Sequence, residues 1–295
     1  MVTPSYGRLA LAATLALAGC SRGDSIVVAS KNFTEQTILG ELVAQQIERR
    51  TDLRVDRRFF LGGTFVAHQA LVAGQIDIYV EYTGTALTAI LERPPGADPD
   101  EVYRTVAGVY EEQFDVVWGE PLGFDNTFAI LVRGDDARRL GLETISDAAP
   151  YTRDWTAAFG YEFVEREDGY AGLVQTYALE FQEPPRTMDL GLTYRALADG
   201  QVDLIAGNST DGLIQALDLY QLADDKSYFP PYEAAPLIRR EVLAKYPGVG
   251  VALAELSGLI SDDEMRLLNY RVDVAHLDAA SVVSEWLDTH LPKSE

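Results

Sequence analysis

Cysteine is almost missing from this chain. Cys20 is the only one in 295 residues, which excludes a disulfide framework and, beyond that position, thiol chemistry. Histidine is scarce as well. His68, His276 and His290 are scattered and fit no HExxH or other ligand spacing, so neither a metal site nor a catalytic triad is indicated. The G-x-S-x-G, P-loop and G-x-G-x-x-G patterns are absent. Asp77 and Asp203 sit in strand-like segments as structural echoes rather than as an acid–base pair. These absences point away from an enzyme and call for no cofactor. Basic charge is also short, with 24 Lys and Arg against 46 Asp and Glu, for a net charge of -22. So acidic a surface repels phosphate backbones and anionic lipid heads, which excludes nucleic acid as a partner. Its plain use is solubility. No segment reaches the ~18 apolar residues that a membrane helix needs, and none is low in complexity.

What is present begins with MVTPSYGRLALAATLALAGC. One basic residue, Arg8, precedes an apolar run from Leu9 to Ala18, too short to span a bilayer and shaped like a secretory h-region. The Leu17-Ala18-Gly19-Cys20 ending resembles the bacterial lipobox. It predicts a lipoprotein signal peptide over 1–19 and lipidation at Cys20; a plain signal peptide with an incidental cysteine is the alternative. The mature body is then soluble, extracytoplasmic and attached to the membrane through its lipid anchor only.

Strand-like and helical stretches alternate along the body. SIVVAS (25–30) is a compact apolar strand, and Ile38, Leu39, Leu42, Val43 and Ile47 share one helical face, with Thr34, Glu35 and Gln36 as the helix start. Strands are expected at 53–60, 76–80, 124–133, 161–165 and 202–207, and helices at 34–49, 65–73, 83–92, 98–114, 169–181 and 190–199. Such alternation indicates βαβ units and a parallel sheet. Two stretches nearly repeat: GQIDIYVEYT (74–83) and GQVDLIAGNS (200–209). Aligning them sets Tyr82 on Asn208 and Thr83 on Ser209. Each copy runs from a glycine turn through a strand to a helix start, the edge where open α/β sheets bind ligands. A coincidence of common βα-turn chemistry is the plainer reading of the echo.

SKNFTEQ (30–36), LGGT (61–64), IYVEYTGTAL (78–87), LGFDNTFAI (122–130), REDGYAGL (166–173), MDLGLTYRALADGQVD (188–203), STDG (209–212) and DDKSYFPPYEAAPLIR (224–239) occur in this order. Together they resemble the substrate-binding proteins of osmoprotectant ABC importers, the glycine betaine, choline and carnitine type, over roughly Ile26 to Leu291. The resemblance implies an α/β, two-lobed periplasmic-binding-protein-like fold (type II), with a ligand cleft between lobes joined by two crossing segments. Lobe 1 is expected over 20–125 plus 228–295 and lobe 2 over 126–227. It implies a monomer that captures a small zwitterionic or quaternary-amine solute and hands it to an ABC permease with a cytoplasmic ATPase. Alternatives are a more polar, amino-acid- or ergothioneine-like cargo, or a sensory, receptor-tethered module.

A trimethylammonium group donates no hydrogen bonds, so converging aromatic faces must hold it, at roughly 0.5–2 kcal/mol each. Its carboxylate partner wants cationic or N–H donors. On that chemistry Tyr82 is a cleft wall, while Lys31, Asn32 and Phe33 follow the first strand at the same edge. Lys31, one of four lysines, meets a ligand anion or is a solvated helix-start charge. Thr64 and Thr83 contact ligand or serve as N-caps. Asn126, Thr127 and Phe128 form a second cluster, in which Phe128 keeps the π face but not the hydroxyl of the family's frequent tyrosine. Arg166 pairs with a ligand carboxylate or with Asp168, and Tyr170 follows it at a helix start. Asn208, Ser209 and Thr210 complete the set. Asn208 replaces the ring expected in the family's A-Y-S-T-D wording, with Tyr170 or Tyr194 as a substitute ring, although Tyr194 in mid-helix suits the core. Asp211 suits a helix cap.

Overall fold

The computed structural model describes residues 25–96 and 98–291. The expectations for the signal peptide and for Cys20 therefore lie outside the described residues. Among the described residues no helix is long and apolar enough to cross a membrane.

The chain opens with β1 (Ser25–Lys31), α1 (Thr34–Arg50), β2 (Arg54–Gly62), α2 (Thr64–Val72) and β3 (Ile78–Tyr82). A short α3 (Thr83–Thr85) runs into a π turn at Ala86–Ile90, then come α4 (Pro99–Phe114) and β4 (Val116–Trp118). The middle stretch holds β5 (Phe128–Arg133), α5 (Gly134–Leu140), α6 (Ile145–Ala148), β6 (Ala157–Phe159) and α7 (Tyr161–Glu165). It continues through α8 (Tyr170–Tyr177), β7 (Arg186–Thr187), α9 (Leu190–Ala198), β8 (Leu204–Asn208), α10 (Leu213–Ala216) and β9 (Leu219–Leu222). Last come β10 (Ala234–Arg239), α11 (Arg240–Lys245), α12 (Pro247–Ala254), α13 (Asp262–Asp273) and α14 (Ala279–His290).

Several helix starts follow directly from local chemistry. Asp98 accepts the Glu101 N–H ahead of Pro99, and Ser261 with Glu264 closes a reciprocal capping box. In α1 the expected stripe is buried and packs Ile38, Leu42 and Ile47 beside Val282 and Leu287 of α14. Leu71, Tyr79, Tyr110 and Trp118 fill the other face of the same sheet. The second sheet is likewise covered on both faces, by the cluster around Leu173 and Tyr177 and by the one around Tyr194 and Leu197.

Two five-stranded sheets result, ordered β2-β1-β3-β10-β4 and β7-β6-β8-β5-β9. They are mixed rather than wholly parallel. In each, the strand that has just crossed from the other lobe inserts antiparallel: β10 between β3 and β4, and β5 between β8 and β9. The doubled phrase occupies equivalent places in the two sheets. Gly74 and Gly200 both have φ +69°, a left-handed turn that glycine adopts at little cost. Asp77 accepts the Val27 N–H at 2.8 Å and Asp203 the Thr156 N–H at 3.0 Å. Each carboxylate also meets the arginine that leads a helix, Arg239 and Arg133 respectively. The echo is thus one supersecondary unit used twice.

Two expected elements differ. Residues 161–165 form α7, not a strand, because β6 ends at Phe159 and Gly160 turns the chain into a helix that buries only Phe163. β5 starts at Phe128 rather than at 124. The four residues before it belong to the crossing, where Asp125 bridges Glu233 of the returning segment.

Candidate functional site

A cavity of about 870 Å³ is lined by the strand ends and helix starts of both lobes. At its inner wall Lys31, the last residue of β1, is only 2% exposed. Its ammonium lies 2.5 Å from Glu81 Oε1, donates to Thr64 Oγ1 at 3.3 Å, and sits 4.6 Å from the centre of the Tyr82 ring. Burial and an ion pair, rather than solvation, therefore fix this charge.

Glu35, in the first turn of α1, is the junction of the site. Its Oε1 accepts the Tyr82 phenol at 2.6 Å and the Asn126 amide at 2.7 Å. Its Oε2 accepts the Thr210 hydroxyl and the Asn269 amide, the latter at 2.8 Å. Burial holds its carboxyl above the usual carboxylate range, although all four donors pull it back. These partners come from β3, the first crossing, the β8–α10 turn and α13, so one carboxylate joins both lobes.

Arg166 forms the second buried junction. It holds Asp168 through two N–H groups, with Nε at 2.8 Å from Oδ1, and donates through Nη1 to Thr85 Oγ1 at 3.0 Å. Asp168 is one of its two expected partners. Asp168 also accepts Thr88 at 2.6 Å and the Tyr232 phenol at 2.7 Å. Burial alone would raise the Asp168 carboxyl, but the hydrogen bonds and charge of Arg166 hold it below the usual range. The guanidinium lies over two rings, 5.0 Å from the centre of Phe128 and 5.8 Å from that of Tyr232.

Asn32, Phe33 and Thr64 line the cavity beside Lys31, and Asn126, Phe128, Asn208 and Thr210 line it from the crossing and from lobe 2. Asn208 ends β8 directly across the ladder from Phe128. Its backbone N–H donates to the Tyr194 phenol at 2.9 Å, so Tyr194 is a core residue that props Asn208 and not a substitute ring. Asp211 lines the cavity and accepts the Leu213 N–H at 2.9 Å, from one position ahead of Gly212, which is the N-cap of α10. Burial, with Asp273 and Glu35 nearby, pushes its carboxyl up to about 7.

Four expected site residues do not line the cavity. Thr83 follows Tyr82 and so faces away from the cleft; it is fully buried and pins the returning segment, donating to Pro231 O and accepting the Glu233 N–H. Thr127 extends the β5–β8 pairing through its carbonyl, which accepts the Ser209 N–H at 3.0 Å. Ser209 is itself buried, and its carbonyl accepts Arg266 Nε at 3.0 Å. Tyr170 packs into lobe 2 against Phe159 and Phe181.

Glu35, Thr85, Tyr232 and Asn269 were not expected in the site. Glu35 and Tyr232 lie inside motifs of the family resemblance, but Glu35 has the look of an ordinary helix-start acid and Tyr232 of a residue in a proline-rich connector. Nothing local marks Asn269, in the middle of α13.

The family model described as the substrate binding domain of ABC-type glycine betaine transport system matches residues 24–289. The carnitine transport binding protein OpuCC of Listeria monocytogenes serotype 1/2a (strain 10403S) is 36% identical over 291 residues, covering 96% of this chain and 94% of that protein. Helicobacter pylori (strain G27) has an ergothioneine transport permease/ergothioneine binding protein, EgtU, that is 35% identical over 264 residues. The match covers 89% of this chain and 47% of EgtU, so the chain spans about half the length of that relative. Among solved structures, one titled as a glycine betaine/carnitine/choline ABC transporter superposes with a TM-score of 0.75 at 32% identity, covering 91% of this chain and all of the other. The chain belongs to the family of substrate-binding domains of ABC-type glycine betaine transport systems, a family of transport binding proteins and not of enzymes.

Proposed function

We propose that this member of the glycine betaine transport family captures a small zwitterionic or quaternary-amine solute, of the glycine betaine, choline or carnitine type, between its lobes and delivers it to an ABC permease. As a transport substrate-binding protein it works outside the cytoplasm. One observation carries the cargo reading: the rings of Tyr82, Phe128 and Tyr232 and two buried cation–carboxylate pairs converge on one interlobe cavity. Rings supply the attraction that a trimethylammonium group can use. Lys31 and Arg166 supply the positive field and spare N–H groups that a carboxylate can use. In this reading the lobes comprise 20–125 plus 228–295 and 126–227, the protein acts as a monomer, and Cys20 carries a lipid anchor. Loss of radiolabelled fatty-acid incorporation in Cys20→Ala tests the anchor.

Binding that contacts both lobes stabilises the closed arrangement, because only contacts made in that arrangement shift the equilibrium. Calorimetry and thermal shift with glycine betaine, choline, carnitine and ergothioneine test the cargo. A ligand at about 100 times its Kd adds about 2.7 kcal/mol to stability. Absence of both heat and Tm shift with every quaternary amine rejects the reading. Asn208 favours a second candidate, a more polar cargo such as ergothioneine, because an amide offers hydrogen bonds where a ring would offer only a π face.

A further inference from the structure

The cavity has two unlike halves. Its inner wall is charged and nearly closed to solvent, with Lys31, Tyr82, Arg166 and Tyr232 between 2% and 5% exposed. Its mouth is apolar and open: Phe60 is 66% exposed, Phe65 44%, Val66 51%, Tyr161 58% and Leu192 53%, and all five line the same cavity. Phe60, Phe65 and Val66 belong to lobe 1, Tyr161 and Leu192 to lobe 2. The Thr64 N–H donates to Glu162 Oε1 at 3.2 Å across the gap, so the two sets are held together at one rim. Among the described residues none of the three aromatic rings has a ring partner. Their arrangement is built rather than incidental. The β1–β2 register shifts between Ala29 and Lys31, and Phe60 sits at φ +59° with its N–H donating to Ser30 Oγ at 2.9 Å. A bulge of this kind re-aims a side chain, and a bulky residue in left-handed backbone is strained, a state found where function over-determines it. The cavity volume also lies at the upper end of the range for small-molecule sites, far beyond what a compact betaine fills.

We infer that Phe60, Phe65, Val66, Tyr161 and Leu192 form a second, apolar subsite at the cleft mouth, and that the cargo is a quaternary-ammonium zwitterion bearing a hydrocarbon arm that this subsite covers. The inference rests on the quaternary-amine reading of the inner wall. L-carnitine and O-octanoyl-L-carnitine share the ammonium and carboxylate and differ in the arm, whose ester replaces the carnitine hydroxyl, so calorimetry of the full chain with both, and with O-acetyl-L-carnitine as the short ester, isolates the subsite. The octanoyl ester is expected to bind at least about tenfold more tightly than carnitine or the short ester, a gain that a partly buried alkyl chain supplies. The double variant Phe60→Ser/Tyr161→Ser is expected to lose that margin while holding carnitine within about twofold of the parent, because neither side chain belongs to the inner wall. An octanoyl ester no tighter than either, or a margin that survives the double variant, overturns the subsite. Phe60→Gly relieves the left-handed backbone and is expected to raise Tm while shrinking the margin; a raised Tm with the margin intact removes Phe60 from the subsite. Should neither carnitine nor its ester bind, the quaternary-amine reading falls, and Nile red decides the subsite by itself. Fluorescence enhancement by the parent and not by the double variant supports it, and equal enhancement overturns it.

Discussion

The phenol of Tyr82 is tied to the carboxylate of Glu35 at 2.6 Å, and that carboxylate also takes Thr210 from the opposite lobe. Ring placement in the cleft and contact between lobes therefore share one acceptor. Tyr82→Phe keeps the ring and removes one charge-assisted bond, so stability should fall by about 1.5–3 kcal/mol while cargo affinity changes little. Tyr82→Ala removes the ring and should weaken cargo binding at least about tenfold. Glu35→Gln sets an amide donor against donors and should lower stability by about 3 kcal/mol, two charge-assisted bonds being lost. Denaturant melts paired with calorimetry separate these effects, and an unchanged affinity for Tyr82→Ala removes the ring from the binding wall.

Arg166 and Asp168 are both nearly sealed from water. Arg166→Met strands a buried carboxylate that Thr88 and Tyr232 cannot neutralise, and unfolding should become easier by about 3–5 kcal/mol. Arg166→Lys should recover only part of this, because a single ammonium cannot hold both oxygens of Asp168 and also reach Thr85. Full recovery in a urea titration would show that the paired geometry is dispensable.

Asn208 faces Phe128 across the β5–β8 ladder and lines the cavity. Asn208→Tyr adds a ring at that position and should improve glycine betaine or choline binding by about 0.5–2 kcal/mol, read by calorimetry. No gain would mean that the three existing rings already saturate the cation.

Asp211 makes stability depend on pH. Burial raises its carboxyl from an ordinary 3.8 to about 7, so the folded chain holds that proton more tightly than the unfolded chain does. Its contribution is complete below about pH 4 and is lost as pH rises through about 7. Tm should therefore decline across that window, and Asp211→Asn should flatten the decline. Glu35 and Asp273, raised in the same direction, leave a residual slope. A variant whose Tm falls as steeply as the parent's would place the titration elsewhere.

Much of the architecture was legible in local pattern. The α1 stripe, the helix expected at 98–114 and the strand expected at 25–30 follow from spacing that neighbouring residues complete among themselves. The doubled glycine–strand phrase marked the two cleft walls, because Gly74 and Gly200 need the same left-handed turn and Asp77 and Asp203 close it alike. Residues 161–165 misled, since Phe163 and Val164 suit a strand or a short helix equally, and only the finished β6 edge decides between them.

Alone, the sequence determined the repeated unit and the residue types it delivers to a cleft: a tyrosine in one copy, an amide in the other. Tertiary structure decided which groups meet. Glu35 draws its four donors from 47, 91, 175 and 234 positions away. At such separations no periodicity survives, and only the closure of two sheets around one cavity brings those groups within hydrogen-bonding reach. Tertiary contacts likewise took other expected residues out of the cleft: Thr83 is held by the returning segment at Pro231 and Glu233, and Tyr170 packs on Phe159 and Phe181.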